Sequence, residues 1–376
     1  MRLSLRALLA GAWLGTAGLA SGCSSAGQPA AGAVPAIVRI EPLGVSHYIK
    51  HVVIIVQENR SFNNIFMGFN GATTQTTGLM SNGQTVTLHA SNFGGTDVGH
   101  SYNDGLNDWD NGKMDRFDTS LPGGTYAYAY LARKYVKPYW AMATQYALAD
   151  RMFATEFGAS FTAHLDLIAG TTNLNPWLAI ADLPLRNPWG CDAPPGTVPS
   201  ALQKNRTWQP YGGPFPCYTQ FKTLADTLDA SHVTWKYYAV SAGVFGGKAW
   251  STFASIKHVR FGPDWSTNVV TPQNSVLTDV ANGQLAQVSW VTPSIADSDH
   301  AGADSDTGPS WVAAVVNAVG HSRYWNDTAI VVLWDEWGGW YDPVSPPQLD
   351  FRGLGLRVPC IVISPYAKKS YVSHTQ

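Results

Sequence analysis

The sequence predicts one α/β domain of three layers, α/β/α, around a mostly parallel central sheet, and three observations carry that reading. Five short runs, at 51–56, 233–240, 288–292, 329–334 and 358–364, are β-branched or aromatic, do not alternate cleanly, and are bounded by Gly, Pro, Asp or Asn. Strands covered on both faces look like this. Helix-like segments fall between them, at 126–146, 162–170, 223–230 and 310–319, and strand-helix alternation implies parallel pairing through crossovers. Finally, 376 residues at 45% hydrophobic content can bury one large core, which excludes a disordered chain.

The elements follow in chain order, starting with an export signal. Arg2 and Arg6 precede an apolar run over 7–20 and then Ala20-Ser21-Gly22-Cys23. That is the order of a secretory signal, too short to span a membrane. Residues 1–22 therefore read as a signal peptide, Cys23 as the lipidation site of a bacterial lipoprotein, and 23–46 as a Ser/Gly/Ala/Pro tether. Ala20 stands where the lipid-anchoring motif usually has Leu, so ordinary cleavage near Cys23 is the plainer alternative. The predicted location is the cell envelope or the outside of the cell.

Residues 47–376 form the predicted domain. Within it, 173–216 are rich in Pro, Gly, Asn and Trp with little periodicity, and read as a surface insertion bordering a substrate site. Its loop aromatics Trp177, Trp189 and Trp208 are candidates for an interfacial rim. Cys191 and Cys217 lie in it, and an exported protein permits their oxidation to a disulfide. Cys360, inside an apolar run, reads as a small buried hydrophobe. The chain stops soon after its last core run with no closing helix, which suggests a truncated domain.

Composition narrows function. Lys+Arg 24 against Asp+Glu 26 gives a net charge of −2, with only 13% charged residues. No basic field for nucleic acid exists.

Ligands of open parallel sheets gather beyond the carboxyl ends of the strands. The first run ends in Gln57-Glu58-Asn59-Arg60-Ser61 and the fourth in Trp334-Asp335-Glu336-Trp337-Gly338-Gly339. Glu58, Asn59, Asp335 and Glu336 are therefore expected to converge on one divalent cation. Ser160, after the turn Gly158-Ala159 and before an amphipathic run, occupies a helix N-cap position and is the candidate nucleophile and a further metal ligand. His100 and His300, in loops expected over the same strand ends, are candidates to neutralise phosphoryl oxygens or protonate a leaving group. Asp297, Asp299, Asp304 and Asp306 faintly suggest a calcium loop, but Gly308 stands where its closing acid belongs.

These motifs, in this order, resemble the bacterial phosphoesterase family, which includes phospholipases C and related acid phosphatases. The resemblance covers the stretch from His51 to Gln376 and includes Leu167-Ile168-Ala169-Gly170-Thr171, Asp299-His300 and Trp334 to Asp342. It implies an alkaline-phosphatase-like fold and hydrolysis through a phosphorylated Ser or Thr. The family's metal-binding Glu-Asn falls on Glu58 and Asn59, its nucleophile on Ser160, its paired acids on Asp335 and Glu336, and its phosphate-facing histidines on His100 and His300. Two departures stand out: Phe161-Thr162-Ala163 replaces the usual x-Pro-Asn, and Asp342 is followed by Pro343 where the family often has His.

The expected activity is thus metal-dependent hydrolysis of a phosphoester, a phospholipid among the candidate substrates, through phosphoserine. The rival is a non-catalytic surface lipoprotein that binds glycans or phosphorylated ligands through Trp-rich loops. A serine carboxylesterase is disfavoured, because Thr162 stands where the Gly-x-Ser-x-Gly elbow needs its second Gly. The sequence assigns no role to His258 or His374.

Overall fold

Both faces of the first strand, β1 (His51–Gln57), are apolar. Val53 and Ile55 enter one hydrophobic cluster while Ile54 and Val56 pack on the opposite side. The computed structural model describes residues 48–376 except 184, 185, 187, 304 and the side chain of Lys248. The predicted signal, the tether and Cys23 lie outside the described residues.

The other strands of the central sheet are β2 (Ala147–Ala149), β3 (Trp235–Tyr238), β4 (Val269–Val270), β5 (Val288–Val291), β6 (Thr328–Trp334), β7 (Cys360–Ile363) and β8 (Tyr371–Ser373). Their spatial order is β4-β3-β5-β1-β6-β7-β2-β8. β1 pairs in parallel with β5, Ile54 opposite Trp290, and with β6, Gln57 opposite Trp334. Only β7 runs against both of its neighbours. The predicted mostly parallel sheet is what the structure has.

Helices cover both faces. On one, α1 (Lys137–Gln145), α4 (Ser275–Ala281) and α5 (Gly308–Gly320) bury Tyr139, Val276, Val312 and Val316 against Val53, Ile55, Ile330 and Val332. On the other, α2 (Ser160–Ala169) and α3 (Leu224–Ala230) bury Phe161, Leu165, Ala225 and Leu228 against Trp235, Tyr237 and Trp290. Burying one such side chain contributes about 1.5–3 kcal/mol, so the two layers clamp β1 and β6 and hold their carboxyl ends rigid.

Two expectations, the helix over 126–146 and a rim position for Trp189, need correction. The helix predicted over 126–146 is only α1, with Pro138 in its first turn, because Pro suits a helix start and not an interior. The aromatic residues before it supply a strand, Ala129–Leu131, parallel to His89–Ser91. The insertion at 173–216 carries a four-stranded antiparallel sheet, from Asn173–Asn175, Leu178–Ile180, Ala201–Gln203 and Trp208–Gln209. Strands of two or three residues are too short to leave a periodic signal. Trp189 is buried, not on a rim, whereas Trp177 is exposed.

Cys191 and Cys217 form a disulfide, with Cα atoms 4.4 Å apart, and Cys360 is buried and free. Among the described residues, no helix is long and apolar enough to cross a membrane.

Candidate active site

Because Gln57 and Trp334 are register partners, the residues after them leave the sheet side by side. The Asn59 amide donates to Asp335 Oδ1 at 2.8 Å, and the Glu336 amide donates to the same oxygen at 2.7 Å. Asn59 achieves this with φ 59°, a left-handed conformation that Asn tolerates better than most residues. Gly338, at φ 63°, packs against the Asn59 carbonyl where any side chain would collide. Gly339, at φ 77°, packs as closely on Val98 and Gly99. The two glycines thus fold the β6 tip onto the β1 tip and seat the loop that carries His100.

Ser160 comes from the other helical layer. It is not the N-cap expected from sequence: Ala159 holds that position and Ser160 is the first helical residue. Its hydroxyl therefore caps nothing and faces the strand tips, with Asn59 Nδ2 at 3.4 Å and Asn59 Oδ1 at 3.5 Å. Asn59 Nδ2 also donates to Glu336 Oε1. Gly158 lets the turn pass close to Thr162, Glu156 and the Ala181 carbonyl, where a Cβ would clash.

Sequence reasoning missed His164. It lies one turn after Ser160 on α2, buried, with Nε2 2.8 Å from Glu58 Oε1 and 3.9 Å from Asp335 Oδ2. The signal was present in the i, i+4 spacing from Ser160, which puts both side chains on one helix face.

Glu58, Asp335 and Glu336 are all buried, and burial is the main force pushing each carboxyl well above the usual range. Beyond burial, Glu58 raises Asp335 and Asp335 raises Glu336, whereas hydrogen bonding with Asp335 and Ser160 pulls Glu58 back down. Burial lowers His164 to about 4. Glu58 Oε2 and Asp335 Oδ2 have no hydrogen-bond partner among the described residues. Three carboxyls buried close together, with unpartnered oxygens, form an arrangement that a divalent cation relieves. Glu58, His164 and Asp335 each offer a ligand atom within 4.8 Å of the others. The residues present therefore fit a metal ion.

His100 and His300 stand at the edge of this cluster, with rings 5.8 Å apart. His100 Nε2 is 3.9 Å from Glu336 Oε1, and its Nδ1 is hydrogen-bonded to the Val98 carbonyl. His300 Nδ1 is hydrogen-bonded to the Ala301 carbonyl at 2.6 Å, and its ring packs near Phe245 and Trp250. Burial, aided by the neighbouring His100, lowers the His300 pKa, against an upward pull from Asp97. Asp97, His100 and His300 form a second group of potential ligands. A cavity of about 470 Å³ opens beside His100 and Ala159, walled by Leu121, Leu183, Trp208, Pro210 and Tyr211. The insertion thus contributes one wall next to the site.

The remaining candidates are structural. Asp299 Oδ2 accepts from Tyr139 Oη at 2.8 Å and Trp334 Nε1 at 3.0 Å, anchoring the His300 loop. Asp342, ahead of Pro343, forms a buried pair with Arg357 at 3.0 Å and accepts the Asn63 amide. His374 pairs with Asp150 and His258 with Asp226, each at 2.9 Å.

Comparison with known proteins identifies the family of the chain. Residues 49–376 match the Phosphoesterase family, and the chain belongs to it. It is 26% identical to phospholipase C A of Mycobacterium tuberculosis, covering 85% of this chain and 68% of that protein. It is 25% identical to the non-hemolytic phospholipase C of Pseudomonas aeruginosa, covering 86% of this chain and 51% of that one, so it spans about half of that relative. A solved structure, a protein in the alkaline phosphatase superfamily from Vibrio parahaemolyticus, is similar with a TM-score of 0.39 and 11% identity, over 91% of this chain and 64% of that chain.

Proposed function

We propose that the chain is an exported, metal-dependent hydrolase of phosphoric esters that acts through a phosphoserine at Ser160, with a phospholipid-like diester as substrate. The observation that carries this is the meeting of Ser160 Oγ with Asn59, which itself contacts both Asp335 and Glu336. Glu58, Asn59, Ser160, Asp335 and Glu336 would hold one divalent ion. When bound, that ion supplies Lewis-acid stabilisation to the nucleophile and to the phosphoryl charge.

Phosphoryl transfer needs mainly positioning and charge stabilisation. Ser160 Oγ, having released its proton to solvent with the Lewis-acid help the ion would supply, attacks phosphorus in line, its bond to phosphorus forming as the bond to the departing alcohol breaks. One of the imidazoles, His100 or His300, gives the departing oxygen a proton. Water then attacks the phosphoserine with the same imidazole accepting a proton, and Ser160 is regenerated. The product is phosphate from a monoester, or the phosphorylated head group from a diester. The apolar cavity beside His100 suits a leaving group with hydrocarbon or aromatic character, which favours a phospholipid-like substrate. The kinship with phospholipases C favours catalysis over the non-catalytic, glycan-binding alternative.

The test is hydrolysis of p-nitrophenyl phosphate and p-nitrophenyl phosphorylcholine by the wild type, Ser160→Ala and Asp335→Asn, each checked for folding by circular dichroism. Both variants should lose turnover of both esters. Turnover retained by folded variants defeats the assignment.

A further inference from the structure

We infer that His164 is itself a ligand of the cation, so that this site prefers imidazole-binding metals such as zinc to magnesium and calcium. The inference rests on the metal-dependent reading above and adds a nitrogen donor to an otherwise all-oxygen set.

Geometry is the first argument. Two donors each about 2.1 Å from a shared ion stand about 3.0 Å apart at octahedral angles, about 3.4 Å at tetrahedral angles and about 4.2 Å when opposite. His164 Nε2 lies 2.8 Å from Glu58 Oε1 and 3.9 Å from Asp335 Oδ2, close to the span a common ion requires. The second argument concerns what a purely structural histidine would leave undone. Its hydrogen bond to Glu58 Oε1 satisfies one oxygen, yet Glu58 Oε2 and Asp335 Oδ2 stay buried without partners. Unpartnered carboxylate oxygens in a dry interior are costly, and an ion enclosed by Glu58, Asp335 and His164 gives them one. Selectivity follows from the donors: imidazole suits zinc, copper, iron and nickel, whereas calcium, magnesium and manganese favour oxygen donors.

The experiment strips the full chain with a chelator and reloads it with Mn²⁺ for pulsed EPR, which detects directly bound nitrogen. Nitrogen coupling is expected in the wild type, in His100→Ala and in His300→Ala, and should vanish in His164→Gln. In competitive dialysis the wild type should favour Zn²⁺ over Mg²⁺ by about 100-fold or more, and His164→Gln should cut that preference by about tenfold or more. Mn²⁺ bound without nitrogen coupling, or coupling that persists in His164→Gln, overturns the inference and leaves metal-dependent hydrolysis standing. Uptake of no divalent ion overturns both. Should His164→Gln fail to fold, the other spectra decide. Coupling kept in both His100→Ala and His300→Ala supports His164, and coupling lost in either moves the nitrogen to that residue and overturns it.

Discussion

The tips of β1 and β6 lie beside the loop that bears His100, which in turn touches His300, but tips and loops are held in different ways. Glu58, Asn59, Asp335 and Glu336 follow directly from paired strands inside two helical layers, and each is buried. His100 and His300 are set by loop carbonyls and ring packing, and both are partly open to solvent. The difference teaches that the fixed charge of the site is a property of the sheet. The proposed proton transfer belongs to loops that the β6 tip seats through Gly339.

Substitutions should reproduce this division. Ser160→Ala and Asp335→Asn strike the rigid part, and kcat should fall by about 10³-fold or more in stopped assays of either ester. His100→Ala and His300→Ala strike the loops, and a drop of about 10²-fold is expected. That drop should shrink for p-nitrophenyl esters, whose leaving group needs little protonation, and grow for alkyl esters. Equal losses on both ester types would remove the acid role. Replacing Trp208 with Ala, in the cavity wall, should raise KM severalfold for phosphorylcholine esters and leave kcat nearly unchanged.

Two stability measurements sharpen the same contrast. Opening the Cys191–Cys217 bridge by Cys191→Ser frees a loop closed over a separation of 26 residues. In urea unfolding this should cost roughly 3–4 kcal/mol in the chain-entropy picture. Glu156, behind Ser160, is pushed from an ordinary 4.5 up to about 8, by burial first and Asp166 second. A raised carboxyl binds its proton more tightly folded than unfolded. Its stabilising effect is complete below about pH 4.5 and is lost as pH rises toward 8. Glu156→Gln should flatten that decline between pH 5 and 8, and an unchanged slope would place the titration elsewhere.

How much of this was legible in the sequence follows from the same physics. Strands buried on both faces leave continuous apolar runs, so β1, β3, β5, β6 and β7 and the polar residues at their ends could be read directly. β2, β4 and β8 are only two or three residues long and left no pattern. His164 escaped because a histidine inside an apolar helix looks like core until a partner such as Glu58 is placed opposite it. Ser160 stands at the helix start, one residue inside the cap position expected, since N-cap and first-turn residues differ by a single position that only backbone angles resolve.

The central claim is that Ser160 carries the phosphoryl group during turnover. Acid quenching during hydrolysis of p-nitrophenyl phosphate and p-nitrophenyl phosphorylcholine, followed by peptide mass spectrometry, tests it directly. A phosphoryl or phosphorylcholine adduct should appear on the peptide containing Ser160 in the wild type and be absent from Ser160→Ala. Full turnover by the wild type with no adduct at any quench time, or with the adduct on another residue, would contradict the account.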